Sequence, residues 1–269
     1  MTRPLHTGVL VLCIFLVGCS QAGLIKRFTP PEQERLARSY IDLLVQGNFQ
    51  QIESELNPSL VDPNTESTLA KMSAMFPAES PKSVKVVGVN LYGGDQYSRT
   101  NLTFEFEFPS KWLLVNVDIQ KDGGATTIVG FHVEPMSEAL ENVNRFTLKG
   151  KSAIQYSILL AAVALFLLSV YVVALCVRTR NVRRKWLWII FILIGFGKLT
   201  VNWTSGELHF TPLAFNIPCA SASAPPYGPW TVGAYLPVGA ILFLRKNRRK
   251  LNAATVPLPP IVPSDTPET

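Results

Sequence analysis

Residues 20–152 contain no cysteine, since the four in the chain stand at 13, 19, 176 and 219, so that stretch holds no internal disulfide. Histidine is scarce, at positions 6, 132 and 209. Glu207 and His209 make only half of a metal set, because two ligands lack the third that even an open zinc site requires. No catalytic, cofactor-binding or metal residue is assigned. Negative charge is missing from the second half. After Val177, eleven Lys/Arg stand against Glu207, Asp265 and Glu268, a net +8, whereas residues 20–152 carry 13 Lys/Arg and 16 Asp/Glu, a net −3. The overall charge of +6 is therefore local to a few basic runs. A nucleic-acid footprint needs a basic face on the folded domain, so nucleic acid is not an expected partner.

What is present is a long uncharged run. Residues 153–177, AIQYSILLAAVALFLLSVYVVALCV, form a helix of roughly 37 Å at about 1.5 Å per residue, against a bilayer core about 30 Å thick. A second apolar stretch, 186–203, opens on Trp186-Leu187-Trp188, an interfacial aromatic anchor. A third, 227–244, is short and carries Gly233, Pro237 and Gly239. Basic runs flank them: Arg178, Arg180, Arg183, Arg184 and Lys185 in the 178–185 loop, and Arg245, Lys246, Arg248, Arg249 and Lys250 at the head of the 245–269 tail. The 204–226 loop between them has neither Lys nor Arg. This asymmetry predicts three transmembrane helices with the basic loop and C-terminus cytoplasmic and the preceding domain outside. Lys198, within the second span, is an intramembrane candidate, or a residue snorkelling to the near surface. The Pro-rich segment from Pro257 to Pro260 has the composition of a disordered tail or a polyproline recognition segment.

The N-terminus reads as a targeting segment. Arg3 precedes the ten-residue apolar stretch 8–17, too short to span. Leu16-Val17-Gly18-Cys19 resembles the bacterial lipobox. That resemblance implies removal of 1–18 and diacylglycerol on Cys19; the alternative is an uncleaved signal anchor. Either reading places residue 20 onward outside the cytoplasm. Residues 19–30 are then a tether.

Residues 31–135 read as an α+β domain, three helices then a four-stranded curved antiparallel sheet. Pro30-Pro31 opens a helix that Gly47 ends, Asn48 caps a second ending at Asn57-Pro58, and a third runs over 66–75. After Pro81 the apolar period falls to two, over 83–91, 96–108, 112–120 and 126–134. Leu102, Phe104, Phe106 and Phe108 share one face, as do Leu113, Val115, Val117 and Ile119, and Val129, Phe131 and Val133. Glu105, Glu107, Asn116, Asp118, His132 and Glu134 fall on the other face and are expected in solvent. The opening helix, the Gly47-Asn48-Phe49 break and the long strands together resemble the cone-shaped nuclear transport factor two-like superfamily. That resemblance implies a cone whose enzymes hold acid/base groups inside it and whose other members only bind. Here the inward rows are apolar, which favours a non-catalytic binding or assembly module. Residues 136–152 link it to the membrane half. Membrane lipid and an envelope protein, or a second copy of the chain, are the expected partners. The alternatives are an isomerase-like enzyme or ligand binder using the cone, with Tyr40, Trp112 or His132 near the site, and a transport-associated subunit using Lys198.

Overall fold

The computed structural model describes residues 21–94, 97–179 and 182–254. They fall into two units, each described by itself. Unit 1 takes in the chain up to Arg145 together with Ala224–Pro229, and unit 2 takes in Phe146–Ser223 and the chain from Trp230.

The described part of unit 1 opens on a helix, α1 (Gln21–Phe28), over residues expected as a tether, and its Ile25 is buried. In α2 (Pro31–Val45), Pro31 occupies the first turn and Glu32 and Glu34 sit at its positive end. Its Ala37, Tyr40, Ile41 and Leu44 form one buried stripe. Gly47, at φ 71°, takes the left-handed backbone that ends the helix. Two shorter helices follow, α3 (Phe49–Glu55) and α4 (Thr65–Ser73). Next come β1 (Ser83–Gly93), β2 (Tyr97–Glu107), β3 (Trp112–Asp122) and β4 (Ala125–Met136), an antiparallel sheet in sequence order. A short turn of helix, α5 (Leu140–Val143), closes the unit. The inner face of the sheet meets α2 to α4 in one core, where Leu102, Phe104, Leu113, Val115 and Val117 are fully buried.

Two bulges shift the strand parity. One lies between Val86 and Gly88 and the other opposite Asp118/Ile119. At the second, Ile119 pairs with Ile128 and Asp118 with Gly130, so Ile128 fills the core position expected of Val129.

Unit 2 overturns the expected fold class. Among the described residues only one helix, α6 (Ala153–Arg178), is long and apolar enough to cross a membrane, and the chain holds two four-stranded antiparallel sheets instead of one. The expected second span is a nine-residue helix, α7 (Lys185–Leu193), followed by β5 (Gly195–Asn202). The expected third is β8 (Thr231–Leu236) followed by α8 (Val238–Ala254), and the intervening chain supplies β6 (Leu208–Asn216) and β7 (Ala220–Ser223). The sheet order is β6-β5-β8-β7. Gly195 shows why this segment is not a uniform helix: a Cβ there would fall 2.4 Å from Tyr235 Cβ, so the strands close on a position only glycine fills.

Helix α6 opens with a capping box. The Ser152 hydroxyl accepts from the Gln155 amide, and Gln155 Oε1 accepts from the Ser152 amide at 2.8 Å. Gln155 Nε2 also donates to the Trp203 carbonyl at 2.8 Å, tying the helix start to the end of β5. Trp203 is 1% exposed; it donates from Nε1 to the Thr147 carbonyl at 2.7 Å and stacks on Phe146 at 4.8 Å.

Candidate functional site

Three places in the described residues have the shape or chemistry of a site. The first is the inner face of the first sheet, where it meets α2 to α4. Phe104 and Phe106 fill it with Leu102 and Val117, and Phe76 meets Phe106 edge-on at 5.8 Å. Tyr40, the one polar group expected there, is 4% exposed and donates to Glu55 Oε2 at 3.4 Å. Burial first, then the neighbouring Glu55 carboxylate, pushes its phenol up to about 12, so it stays protonated and is no base at neutral pH. A recess of about 310 Å³ near Leu56, Leu69, Met72 and Phe131 includes Asp62, whose Oδ1 already accepts from the Asn64 amide and Thr65 hydroxyl. Trp112 lies at the start of β3, paired with Glu107 and Met136.

The second is the outer sheet face, where the structure corrects the sequence reading. Glu105 and Asp118, expected in solvent, are 4% and 6% exposed. Arg99 covers Asp118, with Nε 2.9 Å from both carboxylate oxygens and Nη2 2.5 Å from Oδ2, and that bonded carboxylate in turn raises the pKa of Arg99. Asp118 is therefore taken, and the exposed His132 opposite Asn116 has no carboxylate dyad with it. Glu105 Oε2 accepts from the Leu140 amide at 2.6 Å, holding the start of α5 on the sheet. Tyr227 lies close enough to Glu141 and Glu105 that burial and then their charges raise its phenol pKa. Its amide donates to Gln21 Oε1, and its carbonyl accepts from Asn144 Nδ2, each at 2.8 Å. A cavity of about 550 Å³ lies beneath these contacts, lined by Leu24, Ile25, Val87, Leu140 and Pro225 with Asn90 and Thr103 as polar atoms. It holds no charged side chain.

The third is the surface of unit 2. Cross-strand partners share a face. Phe196, Phe215 and Leu236 stand together, as do Leu199, Phe210 and Ala234, and Val201, Leu208 and Val232. This face is apolar throughout. The other carries Lys198, Thr200, His209, Thr211, Ser221 and Tyr235. Ile158 and Ala162 of α6 pack with Val201, Val232 and Ala234, and Ala220 joins them, while Phe210 stays 69%, Phe215 67% and Leu236 57% exposed. Helix α6 itself is apolar all round, and only 22% of its apolar window is buried. Leu160, Val163, Leu167, Val170 and Tyr171 face outward.

Of the residues singled out in the sequence, Cys19 and Arg180 lie outside the described residues. Lys198 sits half-buried on β5, paired with Thr211 and Tyr235, and not on a helical span. Arg178, Arg183, Arg184, Arg245, Lys246 and Arg248 are exposed, Lys185 is half-buried, and Arg249 and Lys250 fall within α8. His209 Nε2 lies 3.6 Å from Glu207 Oε1, both exposed, and no group of three metal-ligating side chains occurs among the described residues. The contacts missed by sequence reasoning are Arg99 to Asp118, Glu105 to Leu140, and Gln155 to Trp203. The first had a signal, since oppositely charged side chains sit two places apart diagonally on adjacent strands.

Comparison with known proteins finds no matching family model, no matching curated protein and no matching solved structure.

Proposed function

We propose that this chain is a bacterial envelope protein held in the inner membrane by unit 2, with residues 31–135 forming an extracytoplasmic, non-catalytic binding or assembly module. The observation that carries the reading is α6. A helix apolar on all sides belongs either in a protein core or in lipid. This one has most of its apolar window uncovered, so the core alternative lacks the protein to cover it. The basic runs at 178–185 and 245–250 then mark the cytoplasmic end, and Cys19 carries a lipid that adds a second anchor. The apolar inward rows of the first sheet favour binding over turnover.

The second sheet supports the assembly half of the reading. Its polar face and the open edge of β6 cannot lie bare in hydrocarbon, where unpaired backbone groups find no partner. A partner protein or a second copy that shields Lys198, His209 and Thr211 resolves this.

The test is membrane fractionation of the intact chain with carbonate and urea washes. Retention in the pellet until detergent is added is the expected result. Release into the wash as a folded monomer overturns the membrane reading.

A further inference from the structure

We infer that the basic end of unit 2 is a binding surface for the headgroups of anionic phospholipids; the inference rests on the membrane reading above. The end is built by three helices that converge. Val172 and Cys176 of α6, Ile192 of α7, and Ala240 and Phe243 of α8 share one buried cluster. Lys185 Nζ donates to the Val177 carbonyl at 3.0 Å, satisfying an orphan acceptor at the negative end of α6. Lys246 Nζ lies 4.8 Å over the Trp188 ring, and Trp188 meets Phe243 at 5.5 Å.

These contacts bring together cations that the sequence spreads over some seventy residues. Arg178 closes α6, Arg183, Arg184 and Lys185 enter α7, and Arg245, Lys246 and Arg248 ride on α8. Among the described residues none of the seven forms an ion pair, and the only acidic side chain in the described part of unit 2 is Glu207, next to His209 before β6. Seven like charges at one end, with no counter-charge beside them among the described residues, are stabilised by external anions. Two further features select lipid over a soluble anion. Trp186 is 63% exposed beside Trp188, and such amphipathic rings settle at headgroup level. The surface of α6 running away from this end is apolar, so the charges sit where acyl chains stop and phosphates begin.

The test uses the full chain in nanodiscs of mixed zwitterionic and anionic phospholipid, with either the phosphatidylcholine or the phosphatidylglycerol brominated to quench tryptophan. The expected result is several-fold stronger quenching by the brominated phosphatidylglycerol, falling toward equality between low and high salt, because each surface cation contributes about five-fold. In R178Q/R183Q/R184Q/R245Q/R248Q the preference falls at least about ten-fold or to equality, while the all-lysine version of those five positions keeps it. Equal quenching by the two lipids in the unaltered chain overturns the inference. So does a preference abolished by millimolar inorganic phosphate, or one unchanged in the glutamine variant. Should that variant fail to fold, the salt series on the unaltered chain decides alone. Failure of the underlying membrane reading looks different: neither brominated lipid quenches at all.

Discussion

Both units contain a four-stranded antiparallel sheet with one apolar face, and they treat that face in opposite ways. In unit 1, helices α2 to α4 cover the row from Leu102 to Phe106, leaving Phe104 at 0% exposure. In unit 2, α6 covers the β5–β8–β7 side of the face and leaves the edge strand β6 bare, where Phe210 remains 69% exposed. The amino acids are alike, so burial is decided by what the rest of the chain supplies. Where the chain supplies helices, the face becomes a core. Where it supplies none, the surroundings must.

The sharpest way to break the contrast is Phe104→Ala beside Phe210→Ala. The first removes a fully buried ring and is expected to cost about 3–5 kcal/mol; the second should stay within about 0.5 kcal/mol. Loss of hydrogen-exchange protection over β2, against that over β5, measures both. If Phe210→Ala proves as costly, its face is covered by protein in the isolated chain. Next comes Leu160→Arg on the outward stripe of α6. In water this exchange is near neutral, but near the middle of a bilayer it costs about 2.5–3.5 kcal/mol, so membrane retention should fall while the fold in detergent survives. Gly195→Ala follows, an overpacking against Tyr235 worth about 1–3 kcal/mol, read as lower thermal stability in detergent with unit 1 unaffected. The smallest effect is in the pH response of unit 1. The Tyr40 pKa rises from about 10 in the unfolded chain to about 12, so the stabilisation is complete below pH 10 and is lost as pH climbs through about 12. Tyr40→Phe should flatten that alkaline decline in a pH series of denaturant midpoints.

How far the sequence could be read follows the same division. The alternation from Leu102 to Phe108 and from Leu113 to Ile119 names residues that are buried, because strands with one covered face impose period two. Glu105 and Asp118 escaped the pattern. Their cover comes from Arg99 on a neighbouring strand and from Leu140, 35 residues away, and alternation carries no information about distant lids. In unit 2 the apolar runs themselves misled. A run of apolar residues is compatible with helix or buried strand, and what separates them is small: Gly195 and Gly197 in one run, Gly233 and Pro237 in the other. The described members of the two basic runs meet at one end of unit 2 through contacts such as Lys246 to Trp188, on elements that differ from those expected.

The bulge between Val86 and Gly88 makes β1 a strand with two phases. Before it the even residues Val84 and Val86 face the core; after it the odd residue Val89 does, opposite Leu102. Val87 is the slipped beat, turned to the far side, where it is 2% exposed and lines the outer cavity. Deleting that one residue would join Val86 directly to Gly88 and keep every later pairing, with Val89 still opposite Leu102 and facing the core, so the ladder closes and only the outer cavity loses a wall. Strand β1 thus carries one residue that belongs to the outer face alone, while its pairing with β2 decides which way both of its halves face.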